Sequence, residues 1–159
     1  SITAYITIST GVGGVRVVDK QIDRSNFGFE PGHHIIDASS ELNCAKCDEP
    51  GHWESLVSGG SLTARLGKHP KEVEDQNEWD TIERNIANGL HNVMMFWSPD
   101  VIVVGGGMIV KGDEINFENV KSRLGMISHV FPELPEIKKA ELGDIGGLHG
   151  ALHYAINQK

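Results

Sequence analysis

The chain has 159 residues, with 14 Lys and Arg against 22 Asp and Glu, and its formal charge of −8 argues against nucleic acid or an anionic membrane as main partner. A composition of 39% hydrophobic, 23% charged and 6% aromatic residues excludes dominant disorder and supports one sizeable core. Neither an apolar run long enough to span a bilayer nor a basic-then-apolar leader is present, so no membrane segment or signal peptide is expected.

Ile2-Thr3-Ala4-Tyr5-Ile6-Thr7-Ile8 alternates and is β-rich, so it reads as a strand. A glycine-rich turn, Ser9-Thr10-Gly11-Val12-Gly13-Gly14, leads to strands at Val15-Arg16-Val17-Val18 and Gln21-Ile22-Asp23, a three-stranded antiparallel meander. Residues 24 to 53 lack periodicity and read as a long functional loop whose order needs a ligand or metal. Leu56, Val57, Leu62 and Leu66 suggest a helix from Glu54 to about Leu66, interrupted at Gly59-Gly60. Trp79, Ile82, Ile86, Leu90, Val93, Met94 and Trp97 recur at three- and four-residue steps up to Ser98-Pro99, which predicts an amphipathic helix with a sharp stop. Val101-Ile102-Val103-Val104 reads as a buried parallel strand running into Gly105-Gly106-Gly107. A helix from about Asn116 to Val130, a strand around Ile137 to Leu142 and a helix from about Gly146 to Asn157 complete the order. Three meander strands followed by alternating helices and strands predict an α/β lobe with a mixed sheet, as in the ribonuclease-H-like fold.

Cys44 and Cys47 are too few and too close to staple a secreted scaffold, and point to a reduced, cytoplasmic setting. With His33 and His52 they form H-x10-C-x2-C-x4-H, a soft donor set suited to structural Zn²⁺. Two reduced cysteines with unrelated histidines is the alternative, and His34 is as well placed in sequence as His33. Glu30 and Glu54 flank this loop as candidate acceptors for vicinal hydroxyls, or as solvated carboxylates. The turn at Thr10, Gly11, Gly13 and Gly14 suits a phosphate, yet a hairpin needing positive φ explains those glycines equally. Gly105, Gly106 and Gly107, at the C-terminal end of a parallel strand, favour a ligand site. His149 and His153 on the last helix, and Asp144 before it, read as a structural pair and a helix cap.

Taken in order, these segments resemble the C-terminal half of the ROK family, bacterial sugar kinases and sugar-responsive repressors within the actin-like ATPase superfamily. Thr10-Gly11-Val12-Gly13-Gly14 is similar to its second phosphate motif and Glu30-Pro31-Gly32-His33 to its ExGH sugar motif. The stretch from Cys47 to Glu54 resembles the end of its CxCGxxGCxE zinc motif, Ser98 to Gly107 its adenosine-contacting strand and turn, and Leu142 to Ala151 its closing LGDxAGLxGA segment. This chain has His52 where the family has a third cysteine, two residues rather than one between its cysteines, and Ser9 and Val15 where glycines are usual.

The resemblance implies an ATP-dependent hexose kinase lobe, or a sugar-sensing repressor; a zinc-stabilised interaction module of the same fold is the rival of another class. Glu30, His33 and Glu54 would bind a hexose or N-acetylhexosamine, and His33, Cys44, Cys47 and His52 a structural Zn²⁺. Thr10, Gly11, Gly13 and Gly105 to Gly107 would contact Mg-ATP. A homodimer is compatible with this reading. The family's DxGxT motif and catalytic aspartate are expected upstream of Ser1, so the chain alone is expected to be inactive.

Overall fold

The computed structural model describes residues 1–112 and 114–157. Strands β1 (Ile2–Ile8), β2 (Val12–Val18) and β3 (Gln21–Ile22) form the expected antiparallel meander. Asp19 and Lys20 between β2 and β3 both have positive φ, as a two-residue hairpin turn requires. A long loop follows, broken by a 3₁₀ turn at Pro31–His33. Helices α1 (Trp53–Val57), α2 (Gly59–Leu66) and α3 (Gln76–Trp97) lead to β4 (Val101–Gly105). The short α4 (Gly107–Val110), α5 (Phe117–Ile127), β5 (Glu136–Lys139) and α6 (Gly146–Asn157) end the chain.

The sheet order is β3-β2-β1-β4-β5, with β1, β4 and β5 mutually parallel. Alternation in β1 sends Ala4, Ile6 and Ile8 to one face, where they meet Ile102 and Val104 of β4 and the apolar stripe of α3. Ile82, Ile86 and Leu90 on that stripe are fully buried. The expected α/β class and mixed sheet are therefore present.

Several boundaries differ from expectation. β2 starts at Val12, so Gly13 and Gly14 lie within a strand and, like Gly11, lack positive φ. Close packing explains Gly14 instead, since a Cβ there would sit 2.8 Å from Ile6 and 2.9 Å from both Pro31 and the Tyr5 carbonyl. The break after α1 falls at Ser58, not at Gly59-Gly60; Ser58 is extended and caps α2 through its side chain. α5 is shorter than expected, capped by Asn116 and ending at Ile127, and β5 lies earlier than expected. The expected cap at Asp144 falls on a side chain outside those described.

Trp53 fixes α1 on α3: it is fully buried, and a Cβ at Gly89 would lie 1.9 Å from its ring. Alanine gains about 1 kcal/mol over glycine in a helix interior. Overpacking of this severity costs about 1–3 kcal/mol or more, so the loss wins. Gly89→Ala is expected to lower the midpoint of urea unfolding despite its better helix propensity.

Candidate functional site

The loop between β3 and α1 folds back on itself through bridges pairing Ile35 with His52 and Asn43 with Pro50. A tight turn carries the two cysteines, with the Cys44 amide donating to Glu49 and the Asp48 amide to Cys44. The 3₁₀ turn delivers His33 from one side, and His52 arrives as the residue preceding α1, its carbonyl accepting from the Ser55 hydroxyl at 2.7 Å.

These movements bring one ligand atom each from His33, Cys44, Cys47 and His52 to within 4.8 Å of one another. The two Nδ1 atoms are 3.3 Å apart, Cys44 Sγ is 3.6 Å from His33 Nδ1, and Cys47 Sγ is 3.5 Å from His52 Nδ1. Zinc bonds of about 2.3 Å to sulfur and about 2.0–2.1 Å to nitrogen set tetrahedral edges of about 3.3 Å for N to N and about 3.5–3.6 Å for N to S. The donor set therefore fits a tetrahedral Zn²⁺. His34 lies outside this group: its ring packs against Trp53 at 5.2 Å, where burial lowers its pKa to about 4.

Glu30 and Glu54 occupy different environments. Glu30 is 69% exposed, with Oε2 3.9 Å from His33 Nε2, so the two ring nitrogens of His33 face the cluster and this carboxylate respectively. Glu54, in the first turn of α1, is buried. Its Oε2 accepts from the Val12 amide at 2.7 Å and lies 3.6 Å from Lys46 Nζ, a residue between the two cysteines. On the other side of Val12, a Cβ at Gly32 would sit 2.3 Å from the Val12 carbonyl. The glycine turn, the ExGH stretch and Glu54 thus converge on Val12.

A cleft of about 610 Å³ opens where β1 and β4 end. Thr10 and Gly107 line it, with Gly59, Gly60, Thr63 and Lys111. The other glycines expected there have different neighbours. Gly11 abuts Glu54, Gly13 lies in β2 beside Thr7, Gly105 abuts Tyr5, and Gly106, at φ +90°, abuts the Ile8 backbone. Gly59 and Gly60 were missed as site residues because they resemble helix breakers; their amides in fact donate to the Ser9 and Thr10 carbonyls. Nothing in the local sequence marks Lys46.

A mixed five-stranded sheet of this order, with turns clustered at the ends of its parallel strands, defines an α/β lobe with its cleft at the carboxyl ends of those strands. The chain belongs to the ROK family, whose model matches residues 2–158. It is 26% identical over 163 residues to a glucokinase of Pyrobaculum calidifontis, a match covering 89% of this chain and 53% of that protein. Among solved structures it resembles the ROK hexokinase of Thermus thermophilus, with a TM-score of 0.83 at 23% identity, over 99% of this chain and 59% of that one. It also resembles a ROK transcriptional regulator, a homologue of the E. coli MLC protein, with a TM-score of 0.65 at 20% identity over 87% and 41% of the two chains. The chain thus spans about half the length of such relatives.

One tetrahedral metal per chain is expected. Cobalt substitution should produce the visible absorption of an S₂N₂ centre, lost in Cys44→Ser and His52→Ala and retained in His34→Ala. Retention in His33→Ala together with loss in His34→Ala would reassign the fourth ligand.

Proposed function

We propose that this chain is the sugar- and nucleotide-binding lobe of an ATP-dependent ROK-type sugar kinase, with a hexose or N-acetylhexosamine as acceptor and Mg-ATP as donor. The observation that carries this reading is the convergence on Val12, where Gly32 of the ExGH stretch, Glu54 and the glycine turn touch one residue. Glu30 and Glu54 accept from sugar hydroxyls, because an ionised carboxylate offers about four lone-pair sites and suits vicinal donors. His33 belongs to both parts, directing Nδ1 to the metal ligands and Nε2 to the side of Glu30. Bound zinc supplies order to the sugar loop rather than Lewis acidity at phosphate.

The nucleotide lies in the cleft, its phosphates at the turn carrying Thr10. Phosphoryl transfer depends chiefly on positioning and on neutralising phosphate charge, the latter supplied by the Mg²⁺ that ATP carries. It also needs a general base within hydrogen-bond reach of the attacking hydroxyl. Glu54 is tied to Val12 and Glu30 stands largely in solvent, so this chain alone binds both ligands without turnover. The likeness to a transcriptional regulator supports a second reading, in which the sugar and metal sites serve sensing and no nucleotide binds.

Calorimetric titration separates the two. Glucose, mannose, fructose and N-acetylhexosamines are tested with and without Mg-ATP; the kinase reading requires both ligands to bind, the regulator reading sugar alone. Glu30→Gln should weaken sugar binding by about 1.5–3 kcal/mol with unchanged circular dichroism. A coupled assay on the chain alone should show only background ATP hydrolysis; sugar-dependent turnover would place the general base within this lobe.

A further inference from the structure

We propose that Glu54 is a positioning residue that carries order in the His33–His52 loop to the glycine turn at residues 9–12, so that an ordered metal and sugar loop strengthens phosphate binding at that turn. This rests on the metal and nucleotide readings above and adds a coupling between them.

Beyond the β1–β2 ladder and its own bond from the Ser9 amide to the Gly11 carbonyl, the turn is held by the segment that follows His52. Glu54 Oε2 takes the Val12 amide, the Gly59 amide donates to the Ser9 carbonyl at 2.8 Å, and the Gly60 amide to the Thr10 carbonyl at 3.1 Å. The Thr10 and Gly11 amides take part in none of these bonds, and Thr10 lines the cleft. There is no slack between carboxylate and turn, since a Cβ at Gly11 would stand 2.5 Å from Glu54 Oε2.

The same carboxylate faces the metal loop. Lys46 Nζ lies 3.6 Å from Oε2, and Lys46 belongs to the short turn that carries both cysteines. His52, a metal-ligand candidate, immediately precedes the five-residue α1 on which Glu54 sits. A helix this short has no stability of its own, so its position depends on the Trp53 anchor and on what holds its ends. Trp53 keeps α1 on α3, but loosening the loop withdraws Lys46 from the carboxylate and the fixed His52 end from α1, so the bond of Glu54 to Val12 weakens and the turn loses part of its brace. By linkage, phosphate bound at the turn favours the ordered loop by the same factor.

The test uses the 159-residue chain, zinc-loaded and chelator-stripped, as wild type, Glu54→Gln and Glu54→Ala. Mg-ATP affinity is measured together with deuterium exchange across residues 9–12. Stripping zinc should weaken Mg-ATP binding about five- to tenfold in the wild type and speed exchange at the turn. Glu54→Gln, whose amide oxygen still accepts from Val12, should keep both the affinity and the response. Glu54→Ala should begin weak, and stripping should change it no further, because interacting groups fail to add. Gly11→Ala puts a Cβ 2.5 Å from the carboxylate but lies in the turn itself, so only its response to stripping is scored; that response should be lost as in Glu54→Ala, which keeps the test decisive if that variant does not fold.

An equal response to stripping in wild type, Glu54→Ala and Gly11→Ala overturns the proposal, as does an unchanged turn in the stripped wild type. Sugar affinity is scored separately: Glu54→Gln that keeps full affinity removes Glu54 from the sugar site and leaves the coupling intact. If no form takes up zinc, the metal reading falls, and equal Mg-ATP affinity and exchange in wild type and Glu54→Ala overturns the coupling. If Mg-ATP binds none of them, the nucleotide reading falls and exchange at the turn decides alone.

Discussion

The hydrogen bond from the Val12 amide to the buried Glu54 carboxylate joins positions 42 apart and holds the site together. A carboxylate shut away from water is strongly unfavourable unless its oxygens find donors, so this contact constrains everything that places the two partners. Glu54 is placed by α1, α1 by Trp53, and Trp53 by the gap left at Gly89 on α3. α3 in turn packs its apolar stripe on β1 and β4. The chemistry-bearing loop is thereby referred back to the core through one aromatic ring and one carboxylate.

The sheet explains where the cleft stands. β1 has an antiparallel neighbour on one side and a parallel one on the other, and Thr7 is paired in register with Gly105. The turn leaving β1 and the glycines leaving β4 therefore emerge at the same edge, the carboxyl end of the parallel strands. Gly106 is required there by its positive φ and by the Ile8 backbone, which a Cβ would meet at 2.3 Å. Ser58 then starts α2 against the turn, so the cleft is closed by a helix whose first amides already brace the β1–β2 connection.

At the Cys/His cluster, two thiolates and two neutral imidazoles would balance the charge of a divalent zinc. That neutrality suits a cluster in which Cys44 and His52 are buried. His52 immediately precedes α1, so this candidate metal ligand and the start of the helix bearing Glu54 are adjacent in covalent structure. No helix among the described residues is long and apolar enough to cross a membrane.

The elements with clear periodicity were legible in the sequence: β1 from alternation, α3 from its three- and four-residue steps, β4 from its continuous apolar run. So was the Cys₂His₂ donor set, because its residue types are rare and closely spaced. Glycine was the ambiguous letter, since a turn and a close approach select it alike; Gly14 belongs to β2, where Ile6, Tyr5 and Pro31 leave no room for a Cβ. His33 and His34 are neighbours, and only the 3₁₀ turn sends one to the cluster and the other onto Trp53. The pairing of Glu54 with Val12 was likewise invisible, because a hydrogen bond across 42 positions leaves no local pattern. Sequence determined which residues could form elements and bind metal, since those properties are local. Tertiary structure decided which backbone groups the carboxylate meets, because that depends on packing distances set by distant parts of the chain.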